Sequence, residues 1–359
     1  MITKLFNWPI KHFFIIGLSV ATLMVACSQK GTDTNAHVIA NGNMPNLARD
    51  AAGIIHMVYG YGDSLLYSYS ADEGTRFSSP ELIGLVHGLT AGAMRGPQIA
   101  CNNLGPVVTA NNHAGDIFCF RLGSDHRWTA SGKVNDIDTV ARENLMALAA
   151  DHELSYAVWL DLREGHNCIY GSSSTDGGVS WSKNKLIYAS PDSTVCECCK
   201  PSVIVKENKI YVMFRNWLGG NRDLYLIESR DGGLSFGNAV KLGLGSWSLN
   251  GCPMDGGALS LDSKGSVQTV WNRKGRIYGC VPGEPEFELG QGRHCTIETT
   301  EKNNVYAWVE NKHVIILNSK NKKLDLGPGD LPLLKSIGRG RILCIWGNEE
   351  NIYSQILNI

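Results

Sequence analysis

Seven times along the chain, a short run of apolar or aromatic residues gives way to polar turn residues: HMVYGYG, VVTANN, YAVWLDL, VMFRNW, QTVWNR, YAWVEN and LCIWGN. Their central positions are Tyr59, Thr109, Trp159, Phe214, Trp271, Trp308 and Trp346, which lie 50, 50, 55, 57, 37 and 38 residues apart. About ten residues before each stands a second apolar run: PNLARD, PQIACN, LMALAA, PSVIVK, GALSLD, TIETTE and LPLLKS. The alternation within both runs has the period of a β-strand. Each pair therefore reads as a strand, a turn and a second strand.

That period is the length of a four-stranded propeller blade. The expected fold is all-β, a seven-bladed β-propeller of four-stranded antiparallel blades in one domain over residues 37–359. Six blades is the alternative count, should HCTIETTEKNNVYAWVEN not form a unit of its own. The last unit runs to Ile359 and has room for only three strands. AHVIANGN, residues 36–43, can supply the missing outer strand, which would close the ring and leave no exposed edge.

Three units continue into SADEGTRF, STDGGVSW and SRDGGLSF, all of the form Ser-x-Asp-x-Gly-x-x-aromatic. They resemble the Asp-box of sialidases and related propellers. The aspartate is expected to cap backbone N–H groups of a hairpin, and the glycine to supply a positive φ. This turn joins strands three and four, on the face away from the one that gathers chemistry, so its reading is structural.

The opposite face collects the segments leading into the inner strands and the turns between strands two and three. The lead-ins carry Arg95, Arg142, Glu143, the CECCK cysteines, Cys252, Met254, Asp255, His294 and Cys295. The turns carry Asn111, Asn112, His113, Asp161, Arg163, Arg215, Asn216, Trp217, Arg222 and Asp223. Loops on one face of a propeller converge on the central channel, where such folds bind ligands.

Cys196, Cys198 and Cys199 lead into the fourth unit, Cys252 and Met254 into the fifth, and His294 and Cys295 into the sixth. Three chemistries remain open for this rim. It can be a disulfide cluster pinning adjacent blades, a copper or zinc site built of thiolate, thioether and imidazole, or a reactive thiol. The five arginines and four carboxylates of the same face read either as mutual salt bridges or as an anion cradle. In the cradle, guanidinium groups would hold a carboxylate or sulfate bidentately beside carboxylates free for acid–base work.

From residue 37 onward the chain resembles the sialidase-like propellers. That resemblance implies three arginines around a substrate carboxylate, an aspartate acid–base, and a tyrosine nucleophile paired with a glutamate. Arg95, Arg142, Glu143, Asp161, Arg215 and Asp255 are the residues assigned to catalysis. Arg163, Asn216, Trp217, Arg222 and Asp223 are assigned to substrate binding. Arg95-Gly96-Pro97 is only loosely similar to the first arginine motif of that family and lies in the second unit. Tyr278 and Tyr353 are nucleophile candidates without a supporting motif. The expected function is a glycosidase acting on acidic glycans. The alternatives are a non-catalytic glycan- or protein-binding propeller and a soft-metal or redox protein.

The N-terminus sets the expected compartment. Lys4 and Lys11 precede the apolar run FFIIGLSVATLMVA, shorter than the ~20 residues of a membrane-spanning helix and of signal-peptide form. LMVAC resembles the bacterial lipobox, which implies a signal peptide over 1–26, a lipidated Cys27 and a linker to residue 36. The protein is thus expected in a bacterial cell envelope, at the outer membrane or cell surface, reaching membrane only through its lipid, and monomeric. Ten cysteines remain after Cys27, and an oxidising compartment favours disulfides. A formal net charge of -1 offers nothing for nucleic acid.

Overall fold

A computed structural model describes residues 35–359 other than Ser193 and Lys302. The expected signal peptide, the lipobox-like stretch with Cys27, and the expected linker as far as residue 34 lie outside the described residues. The rest forms seven antiparallel sheets of four strands each, a seven-bladed β-propeller. Blade 1 spans residues 43–85, blade 2 98–133, blade 3 146–188, blade 4 202–241, blade 5 257–291 and blade 6 293–328. Blade 7 takes three strands from 330–358 and its outermost from His37–Asn41, which pairs with Asn351–Asn358. The doubtful unit is a true blade: Arg293–Thr299 and Asn304–Glu310 are its first two strands.

The first strands of successive blades touch one another in an unbroken ring around the channel. Outside that ring the core is divided among the seams between blades. Tyr59, Ile55 and Met57 meet Ile337, Leu343 and Ile345 where blade 1 joins blade 7, and Trp159 of blade 3 faces Val107 and Ile117 of blade 2. Trp308 and Trp346 fill the corresponding seams further round. All seven central positions of the repeat are buried. A blade cannot bury its apolar faces alone, so each large side chain stabilises a neighbour as much as its own sheet.

The three Ser-x-Asp-x-Gly turns share one hydrogen-bond pattern. Ser70, Ser174 and Ser229 donate their hydroxyls to Oδ1 of Asp72, Asp176 and Asp231 at 2.8–2.9 Å. Each hydroxyl oxygen accepts the N–H of Gly74, Gly178 or Gly233. Each aspartate accepts the N–H four residues on, from Arg76, Ser180 or Ser235. The glycines have φ of +86°, +83° and +88°. A Cβ on Gly74 would lie 2.9 Å from Leu343 of blade 7, and one on Gly178 2.9 Å from Val107 of blade 2. These turns stitch neighbouring blades together at the face remote from the channel mouth.

Candidate functional site

Lead-ins and second-to-third turns open together on a cavity of about 990 Å³ at the mouth of the channel. Six of the seven lead-ins bend through the same device, a non-glycine residue with positive φ. These are Met44 (54°), Met94 (70°), Asn144 (56°), Met254 (47°), His294 (52°) and Leu331 (50°). Each such residue costs on the order of 1 kcal/mol or more, and the cost recurs at the equivalent place in blade after blade. In blades 1, 6 and 7 it coincides with a register irregularity between the first two strands. Bulges of this kind redirect side chains, and Met44, Met94, His294 and Leu331 all line the cavity. Blade 4 is the exception: among its described residues the lead-in has no left-handed non-glycine residue, and cysteines stand there instead.

The cavity wall is mixed, with more apolar than polar surface, and carries the side-chain amides of Asn43, Asn46, Gln98, Asn272, Asn311 and Asn348. Lys200, Arg293 and Lys312 bring positive charge, and Asp255, Asp330 and Glu349 negative. Lys200 donates from Nζ to Gln98 Oε1 at 2.8 Å. Burial in the channel brings its ammonium pKa down to about 8. His294 contacts the Asp330 carboxylate through Nδ1 and accepts from Arg293 at Nε2, 2.8 Å away. Its backbone N–H donates to Asp255 Oδ2 at 3.0 Å. Burial pushes the Asp255 carboxyl up, against the opposing charges of His294 and Arg215.

Among the residues expected at the site, Asp255, His294 and Cys295 line this cavity. Met254 sits beside them, its carbonyl accepting from Arg293 at 3.3 Å. The arginine cradle does not form there, because each guanidinium already has its partners. Arg215, 2% exposed, gives Nε, Nη1 and Nη2 to the carbonyls of Asp255, Arg222 and Asn272, which makes it a clamp between blades 4 and 5. Arg163 grips the buried Asp161 through two nitrogens at 2.9 Å and also reaches Asp136. The Trp159 indole N–H completes the Asp161 carboxylate at 2.7 Å. Arg95 donates to the carbonyls of Glu143 and Ala93. The exposed Arg142 donates to the Thr139 carbonyl, and Glu143 accepts from Asn167 at 3.5 Å. None of these lines the cavity, whose one lining arginine is Arg293.

The proposed sugar-binding cluster is likewise committed to structure. The Arg222 guanidinium lies 4.7 Å from the centre of the Trp217 ring, Asn216 donates to the Tyr188 hydroxyl, and Asp223 accepts the Trp247 N–H at 2.8 Å. Tyr278 packs against Trp271 and Tyr353 against Trp346, both within blades. Lys200 and the Asp330 partner of His294 went unnoticed in the sequence. The signal for Lys200 was its place one residue before the fourth inner strand run, masked by the cysteines beside it.

Cys198 is disulfide-bonded to Cys252, which ties the lead-in of blade 4 to that of blade 5. Cys196 and Cys199 are buried free thiols with sulfurs 3.4 Å apart, and Cys196 Sγ lies 3.7 Å from Cys198 Sγ. Arg222 Nη1 donates to Cys196 Sγ at 3.0 Å. The Cys199 hydrogen bond, against the cost of burial and with the charges of Arg222 and Arg215, brings the Cys196 thiol down to about 7. Cys295 is a separate buried thiol whose pKa is pushed well up by burial.

No protein-family model matches the chain, and no curated protein is significantly similar to it in sequence. Solved structures do share its fold. Virginiamycin B lyase of Staphylococcus aureus aligns over 90% of this chain and 99% of its own, with 9% identity and a TM-score of 0.54. The α-L-arabinanase of Penicillium chrysogenum aligns over 90% and 98%, with 11% identity and a TM-score of 0.51. At such identities the likeness is one of fold: the chain is a seven-bladed β-propeller, and its chemistry has to be argued from its own side chains.

Proposed function

We propose that the channel mouth binds a saccharide carrying an anionic group, in a protein tethered to a bacterial cell envelope through Cys27. The observation that carries this is the wall of the cavity. Side-chain amides donate and accept at once and so suit vicinal hydroxyls, while Lys200 and Arg293 bring positive charge towards a carboxylate or sulfate. The likeness of the Ser-x-Asp-x-Gly turns to the sialidase Asp-box and the fold shared with an arabinanase support a glycan ligand. A second reading, hydrolysis of that glycan, rests on Asp255. A carboxyl raised by burial is suited to act as a general acid, and His294 with Asp330 stands beside it.

Lys200 gives the test its pH signature. Its ammonium is charged below about 8 and neutral above, so anion affinity should fall as pH rises through that value. Isothermal titration with sialosides, uronic-acid oligosaccharides and sulfated sugars should show about tenfold weaker binding at pH 9.5 than at pH 7. Lys200→Gln should bind weakly at both values, with thermal unfolding confirming that it folds. Silence against all three classes, with neutral arabino-oligosaccharides equally silent, overturns the reading. Release of reducing sugar that disappears in Asp255→Asn would favour hydrolysis; binding without release would leave a lectin-like protein.

A further inference from the structure

We infer that Cys196, Cys198, Cys199 and Cys252 form, once the Cys198–Cys252 bond is reduced, a four-sulfur site for a thiophilic cation, zinc(II) or copper(I). This stands independently of the glycan reading. Cys196, Cys198 and Cys199 already hold their sulfurs within 4.8 Å of one another. Two of the spacings are 3.7 and 3.4 Å. Four sulfurs at the ~2.3 Å of a zinc–thiolate bond define a tetrahedron with edges of about 3.8 Å. Those two of the six edges thus lie within a few tenths of an ångström of ligating geometry, and reduction frees Cys252 Sγ from Cys198 to complete the set.

The surroundings point the same way. A tetrathiolate zinc site, or a trithiolate copper(I) site, carries a formal charge of about -2. Two buried arginines supply the balance: Arg222 bonds Cys196 Sγ directly, and Arg215 acts on both Cys196 and Cys199. Arg222 also pairs at 3.4 Å with Glu197, the one carboxylate within the cysteine run, and a set of thiolates disfavours hard cations. Cys252 is exposed while the other three are buried, which gives both reductant and ion a way in. Blade 4 is also the one blade whose described lead-in replaces the left-handed kink of the other six with cysteines.

The steps balance without further partners. A dithiol reductant delivers two electrons and two protons to the Cys198–Cys252 bond and leaves as its own disulfide. Zinc(II) then takes four thiolates as four thiol protons pass to solvent; three-coordinate copper(I) releases three. The test is metal titration of the full chain, reduced with dithiothreitol and freed of it anaerobically, with thiol counting and elemental analysis. One equivalent of zinc or copper(I) should bind, at least 100-fold more tightly than to the oxidised protein. Cys199→Ser should lose that affinity, while Cys344→Ser, a buried thiol in blade 7, should keep it. Should Cys199→Ser fail to fold, cobalt(II) added to the reduced unmutated chain should give thiolate-to-metal charge-transfer bands. Preference for one ion identifies the occupant. Reduced protein that binds neither ion more tightly than the oxidised form, or shows no cobalt–thiolate bands, overturns the inference.

Discussion

Asp231 sits in an exposed turn, yet its carboxylate accepts from the Ser235 hydroxyl, the Ser235 backbone N–H and the Ser229 hydroxyl. Those bonds hold its pKa down to about 2, against ~3.9 for an aspartate in an unfolded chain. Because the folded value is the lower one, the stabilisation is complete above about pH 4 and is lost as pH falls through about 2. Asp231→Asn should therefore lower the melting temperature by a few degrees at pH 7, with the gap closing between pH 4 and pH 2. Scanning calorimetry across that range checks this, and a gap independent of pH would remove the role of the charge. The same residue scale separates what sequence could and could not tell about the site. The aspartate turns were legible because their hydrogen bonds are local. The arginines were assigned to the correct loops, but their partners are carbonyls and carboxylates brought in by folding: Arg215 meets Asn272, 57 residues away. No spacing in the sequence announces such a partner.

At the scale of a single element, the glycine of each Ser-x-Asp turn is where a blade meets its neighbour. Gly233 has φ +88°, and a Cβ there would collide with the Tyr156 ring of blade 3. Gly62, in the turn between strands of blade 1, has φ +55° and nothing within 4 Å. Gly62→Ala should then cost roughly 1 kcal/mol from backbone strain alone. Gly233→Ala adds overpacking and should cost about 3 kcal/mol or more. Urea unfolding of the two variants distinguishes them, and equal losses would mean that the seam yields freely to an added methyl. Strands were readable for a related reason. The seven central positions are buried, six of them aromatic, and local to a period-2 pattern, whereas Lys200 is a lone polar residue whose meaning lies in the channel it faces.

For the whole molecule, closure is the decisive feature. His37–Asn41 completes blade 7 by pairing His37 with Ser354 and Asn41 with Asn351, joining the two ends of the described chain. Removing residues 35–41 should expose the edge of Asn351–Asn358, lower the melting temperature, and shift the protein towards larger species on size-exclusion chromatography. A truncated chain with the elution volume and melting temperature of the intact one would show that the ring needs no clasp. Closure was visible in the sequence as an arithmetic shortfall, three strands in the last unit and one to spare at the start. It also imposes an order in time. A chain made from its N-terminus produces the clasping strand first and its partner last, with some 310 residues between them. Throughout synthesis that strand is an unpaired edge, and contacts of such long sequence separation form slowly. Whatever handles the nascent chain must keep its first strand from pairing elsewhere until its last one arrives.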